Sequence, residues 1–288
     1  MERYREIRTG EKGAWLSLGA YVFLSVLKLV VGYASDSEAL TADGLNNTTD
    51  ILATVAILIG LKISRKPPDE DHPYGHFRAQ TIASLIVSFI MAGVGIEVLI
   101  QAMTSIVHGG TSVPNMMAAW TALFSAVLIF AVHRYNLRLA RQIDNHAIMA
   151  AAKDNLSDAL VSIGAFVGVL GSWLGLTWLD PVAAVVVGLM IVKTAWGIFF
   201  EASHTLTDGF EEQRLAHFKK TILQTPGVEA IKDVRARKHG SLVLVDVTVQ
   251  VDPELNVVES HCITEAIEEK MNREHRIDHV HVHIEPKQ

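Results

Sequence analysis

The 288-residue chain has one cysteine, Cys262. That excludes an intramolecular disulfide and any zinc cage built from several thiolates. Aromatic residues make up 7% and the net charge is -6, and no basic patch interleaved with aromatics occurs, so nothing points to a nucleic-acid partner. Neither a His-Glu-x-x-His motif nor a nucleophile set beside a histidine is found in the apolar stretches, which argues against an intramembrane hydrolase. The N-terminal region lacks a small-residue cleavage site after its charged start, so no removable leader is expected. What the chain does have is long apolar runs, and all of them lie before about position 200. A total of 50% hydrophobic residues is ordinary for a soluble protein; their segregation is not.

Each run approaches the ~20 residues that cross a bilayer. Their expected bounds are 14–33, 39–62, 79–106, 116–137, 147–174 and 180–200. Trp15, Tyr21, Tyr33, Trp120, Trp173 and Trp178 mostly read as aromatics near span ends, where amphipathic rings settle. Arg65, Lys66 and Arg78 follow span two, and Arg134, Arg138 and Arg141 follow span four, whereas the connections after spans one, three and five carry no Lys or Arg. Basic connections stay in the cytoplasm, which places both termini there and makes a multi-pass protein of the cell membrane. Lys28 and Lys193 fall inside spans, where a lysine either snorkels to the interface or faces the bundle, and neither is assigned a role.

The expected architecture is a membrane all-α bundle of six transmembrane helices, residues 1–204, followed by a cytoplasmic α+β domain, residues 205–288. In that second part Glu211–Leu223 is patterned as a helix ending at Thr-Pro-Gly. Residues 228–237 and 242–251 alternate as strands about a Lys-His-Gly-Ser turn, 256–271 is helical, and 278–284 is a third strand. The order αββαβ suits a small two-layer, ferredoxin-like domain.

Two spans carry acids. Asn46 and Asp50 lie on span two, Asp154 and Asp158 on span five. Each pair is spaced i, i+4, so its members share a helical face. A charge inside hydrocarbon costs at least ~2.5 kcal/mol on insertion scales and is usually functional. Two such faces turned together offer oxygen ligands to a hard divalent cation. The alternative is polar residues that glue helices, a role that suits Asn47, Thr48 and Thr49. Asp43 shares the stripe and reads as a residue of the outer mouth of a pathway.

Six spans, the motifs Asn46-x-x-x-Asp50 and Asp154-x-x-x-Asp158, the run Asp69-Glu-Asp-His-Pro-Tyr-Gly-His76 and an αββαβ tail together resemble the cation diffusion facilitator family. The resemblance covers nearly the whole chain. It implies a homodimeric membrane antiporter, not an enzyme, that exchanges a cytoplasmic divalent metal for protons. The transport site would be Asn46, Asp50, Asp154 and Asp158. Zinc members have Asp first and His third in this quartet; Asn46 and Asp154 here resemble the manganese branch. Chemistry points the same way, because zinc favours nitrogen and sulfur donors while manganese suits carboxylate, carbonyl and water. Zinc, iron or cobalt export, or a membrane-anchored metal sensor, are the competing readings.

The resemblance also implies further sites. Asp69, His72 and His76 would form a loop metal site, against the plainer reading of a solvated turn. His261, His283 and Glu285 match a binuclear site of the soluble domain, but Lys232 and Thr248 stand where zinc members have histidines. Arg78 and Asp208 match an ion pair joining the membrane and soluble parts.

Overall fold

The structure is a computed structural model that describes residues 2–64, 66–108, 113–142, 146–240 and 242–287. Arg65 and Ser241 lie outside the described residues. Six long helices come first: α1 (Glu2–Ala34), α2 (Glu38–Ser64), α3 (Ala79–His108), α4 (Met116–Gln142), α5 (His146–Trp173) and α6 (Leu179–Leu206). All six include a stretch long and apolar enough to cross a membrane, that of α1 beginning at Leu16. The helices α7 (Glu212–Leu223) and α8 (Val257–His275) and the strands β1 (Ala230–His239), β2 (Leu242–Val251) and β3 (His279–Pro286) complete the chain in the order αββαβ. The chain divides into two compact units, residues 1–55 with 87–197, and residues 56–86 with 198–288.

In the first unit small residues let helices approach. Ala39, Ala118, Ala119, Ala122 and Ala165 are buried in one cluster with Leu40 and Val169. A Cβ on Gly168 of α5 would stand 2.6 Å from Ala183 Cβ of α6, so this crossing requires glycine. Without water to drive helices together, such close packing is what holds spans against one another. The turn before α2 is held from α6: Asp180 accepts from Ser37 Oγ at 2.8 Å and from the backbone N–H of Glu38 at 2.6 Å. A buried carboxylate thus satisfies donors at a helix start that would otherwise be orphaned.

In the second unit the sheet has the order β1-β2-β3. β1 and β2 pair antiparallel through the turn at Gly240, and β3 runs parallel to β2, which requires the crossover that α8 supplies. Asn256 caps α8 by accepting from the Val258 and Glu259 N–H groups, and Glu259 reaches back to the Asn256 N–H. Phe218 and Ile222 of α7, Ile267 and Met271 of α8, and Val234, Val245, Val247 and Val249 of the sheet share one apolar core. The alternation read along β3 holds: His279, His281 and His283 are exposed, while Val280, Val282 and Ile284 pack against that core.

Candidate metal centre

Across α2 and α5 the structure joins Asn46, Asp50 and Asp158 and does not bring Asp154 into contact with them. Asn46 Nδ2 donates to Asp158 Oδ1 at 3.1 Å and, more weakly, to Asp50 Oδ2 at 3.4 Å. Asp158 is buried, Asn46 and Asp50 are half-buried, and Asp154 is exposed, with no hydrogen bond from its carboxylate among the described residues. Exposure therefore rises along the pair of helices from Asp158 toward Asp154. Three carboxylates and one amide supply only oxygen as donors that can reach a metal, the set that suits a hard cation.

α1 contributes two side chains that sequence reasoning missed. The Tyr21 hydroxyl lies 2.6 Å from Asp158 Oδ2 and 2.8 Å from Asn155 Oδ1, its one proton shared between them. Tyr21 is thus a buried partner of the acid rather than an interfacial aromatic. Lys28 is fully buried as well. Its ammonium donates to Asp43 Oδ1 at 2.8 Å, Asn47 Oδ1 at 2.6 Å and Ser162 Oγ at 3.0 Å, which uses all three of its N–H bonds. Asp43 is wholly enclosed in this ion pair, so it does not line an open mouth. A signal for both residues was present in the sequence: Ser17, Tyr21, Ser25 and Lys28 form a polar stripe at helical spacing along an otherwise apolar span.

Among the described residues, Asp69, His72 and His76 are the group of His, Cys, Asp or Glu whose ligand atoms all lie within 4.8 Å of one another. His72 Nδ1 is 3.0 Å and His76 Nε2 is 3.5 Å from the Asp69 carboxylate. Hydrogen bonding from His72 holds the Asp69 carboxyl below the usual carboxylate range, so it stays ionised and available as a ligand. His76 Nδ1 is buried without a partner.

The soluble-domain residues are dispersed by comparison. Glu285 is taken by Lys232, whose Nζ lies 2.7 Å from its carboxylate, and His283 Nε2 stands 3.8 Å from the same group. His261 is exposed on α8 and its nearest acid is Glu265 at 3.9 Å. An ammonium salt-bridged to the one carboxylate of the set opposes a metal at that point.

Arg78 and Asp208 are brought together, Nη2 to Oδ1 at 2.9 Å, and Arg78 Nε also donates to His239 Nδ1 at 3.2 Å. Burial, assisted by the nearby guanidinium, pushes the His239 imidazole below its ordinary value and favours the neutral ring that accepts this bond. Beside it Gly240 adopts φ +62°, and a Cβ there would stand 2.0 Å from the Phe77 carbonyl oxygen. The loop before α3 therefore seats on the β1–β2 turn only because position 240 has no side chain.

Comparison with known proteins agrees with this architecture. The cation efflux transmembrane domain matches residues 14–207, and the cation efflux protein cytoplasmic domain matches residues 210–287. The chain is 57% identical over 286 residues to the manganese efflux system protein MneS of Bacillus subtilis (strain 168), covering 99% of both chains. It is 54% identical over 286 residues to the uncharacterized transporter YdbO of the same organism, again covering 99% of each. It is 33% identical over 284 residues to the manganese efflux system protein MneP, also of that organism, covering 96% of this chain and 95% of MneP. Six apolar helices in which Asn46 of α2 joins Asp50 to Asp158 of α5, a cytoplasmic αββαβ domain that follows them in the chain, and family matches over residues 14–207 and 210–287 make this chain a transporter of the cation efflux, or cation diffusion facilitator, family.

Proposed function

We propose that this protein exports manganese from the cytoplasm in exchange for protons, as a homodimer in the cell membrane with both termini cytoplasmic. Residues 1–204 would carry transport, and residues 205–288 dimerisation and metal sensing. The observation that carries the reading is the meeting of Asn46, Asp50 and Asp158 in an all-oxygen site within the spans. Asp154, one turn from Asp158 on the same face, completes the quartet. The manganese efflux named for MneS and MneP supports manganese over its neighbours in the divalent series.

In this arrangement the Asn46 amide offers its N–H to two carboxylates. To serve a metal it turns to present Oδ1, so one rotation both releases the acids and adds a neutral ligand. Carboxylates bind metal when deprotonated, and protons arriving from outside displace it there. The exposed Asp154 would receive the ion first and pass it to the buried Asp158. Tyr21 keeps Asp158 oriented throughout. Rocking of the helices about a midplane site then suffices for alternating access.

The loop triad Asp69, His72 and His76 is proposed as an auxiliary site that collects cytoplasmic metal. His261, His283 and Glu285 are assigned no required metal, since Lys232 already neutralises Glu285. The Arg78–Asp208 pair is proposed to couple the loop before α3 to the segment after α6.

The test is transport by purified protein in liposomes, with manganese-sensitive dye in the lumen and a pH gradient of either sign. Manganese flux should follow the gradient and reverse with it. Flux that ignores the gradient removes proton exchange from the account, and absence of manganese flux beside robust zinc flux overturns the choice of metal.

A further inference from the structure

Lys28 has no part in ligating a metal, yet it is among the largest fully buried side chains of the structure. A buried charge in a span is costly and its retention calls for a use. Its three acceptors belong to the two helices that carry the quartet: Asp43 and Asn47 from α2, Ser162 from α5. Asp43 stands about one helical turn before Asn46 on α2 and Ser162 one turn past Asp158 on α5, while Asn47 is level with Asn46. With the proposed topology this is the side away from the cytoplasm. Exposure follows the same direction: Asp154 is exposed, Asp50 and Asn46 half-buried, Asp158 6% exposed, and Asp43, Asn47 and Ser162 wholly enclosed. The ammonium therefore ties α1, α2 and α5 together immediately outside the site.

The cage is not fully satisfied. Asp43 Oδ2 and Asn47 Nδ2 are buried without a hydrogen-bond partner among the described residues. Such groups are expensive to enclose, and opening this region to water or to a passing cation would relieve them. The closed arrangement is thus held by one ion pair working against two unmet polar atoms.

We propose that Lys28 is a tethered cation that latches the outer side of the transport path, and that loading of the divalent metal releases it. Loading adds two positive charges about one turn from the ammonium, ~5 Å of helical rise, and so offsets most of the pull that the three quartet carboxylates exert on it. In a site of low dielectric that loss of attraction is large. A loaded quartet therefore destabilises the latched state, and the three oxygens that held the ammonium become available to the departing ion. Lys28 acts here as a positioning residue. The inference rests on the proposed transport direction and goes beyond it by coupling occupancy to opening.

Ser25 of α1 lies one turn inward of Lys28, buried, with its Oγ 2.7 Å from Thr48 Oγ1. Ser25→Cys in a Cys262→Ser background gives a single thiol behind the latch. Right-side-out vesicles are treated with a membrane-impermeant methanethiosulfonate reagent. With Lys28 and Asp43 intact, labelling should be slow without manganese and at least tenfold faster with it. Lys28→Met with Asp43→Asn should label fast in both conditions, since the latch is gone. Ser162→Ala removes one latch bond at little change in volume and should raise the metal-free rate in the same direction, which keeps the test available if the double variant does not fold. Labelling of either variant at the metal-free rate of the parent overturns the latch. The metal-free comparison does not depend on which ion is carried, so a protein that moves no manganese would defeat the proposed function while leaving this outcome to be read separately.

Discussion

Lys28→Met tests whether the buried pair is a structural requirement in its own right. Methionine approaches lysine in length and would fill much of the same space, so the change isolates the charge. The Asp43 carboxylate, already short of one partner at Oδ2, would lose the ammonium at 2.8 Å, and Asn47 and Ser162 would each lose a donor. Breaking one side of a buried pair costs about 3–5 kcal/mol. At roughly 2–4 °C per kcal/mol for a chain of a few hundred residues, the apparent Tm should fall by on the order of 10 °C. Asp43→Asn should cost a similar amount by orphaning the ammonium. The double variant removes both charges, and replacing a buried pair by neutral groups is often neutral or stabilising. It should recover most of the loss, giving a coupling of about 3 kcal/mol or more. The assay is the fraction surviving as dispersed protein in detergent after heating at one fixed rate, for wild type, both single variants and the double. Single variants within about 1 kcal/mol of wild type, or a double variant that loses the sum of the singles, would refute the reasoning.

Asp50→Ala, Asp154→Ala and Asp158→Ala should each abolish manganese flux in liposomes while leaving folded protein, whereas Asn46→Ala should reduce it less because water replaces a neutral amide oxygen; wild-type flux in any aspartate variant removes that residue from the quartet. Asp154→His combined with Asn46→Asp introduces an imidazole among three carboxylates, and the ratio of zinc to manganese uptake at matched free metal should rise; an unchanged ratio moves selectivity out of the quartet. Arg78→Asp should impair transport and Asp208→Arg in the same chain should restore part of it, an effect that must draw on His239 and the loop because an exposed pair alone contributes only ~0–1 kcal/mol. Gly240→Ala meets both a left-handed backbone and the Phe77 carbonyl, so limited proteolysis should cut faster near residues 66–78 while the sheet core, remote from that turn, resists as before.

Much of the protein is legible from local periodicity. Apolar run length announces six spans, because a lipid core demands helices of about that length. Period-two alternation marks β1, β2 and β3, and an i, i+4 interval is enough to place Asn46 with Asp50 and Asp154 with Asp158 on shared faces. The Arg78–Asp208 pairing came from family resemblance, not from spacing, since 130 residues separate the two. Other features have a local signature that names no partner, as the polar stripe of Ser17, Tyr21, Ser25 and Lys28 does. A lysine in a span reads alike whether it snorkels or is buried, and only the meeting of α1 with α2 and α5 surrounds Lys28 with three acceptors. Tyr21 reads as an interfacial ring until α5 brings Asp158 to its hydroxyl. Likewise, the equal spacing of the two acidic pairs gives no hint that Asp158 is enclosed and Asp154 exposed. The sequence by itself determined the elements and the faces their side chains occupy, because both follow from the backbone period within one segment. The tertiary structure decided which faces meet, which acid is buried and what the buried lysine holds, because those depend on the packing of α1 against α2 and α5, which no period within one segment records.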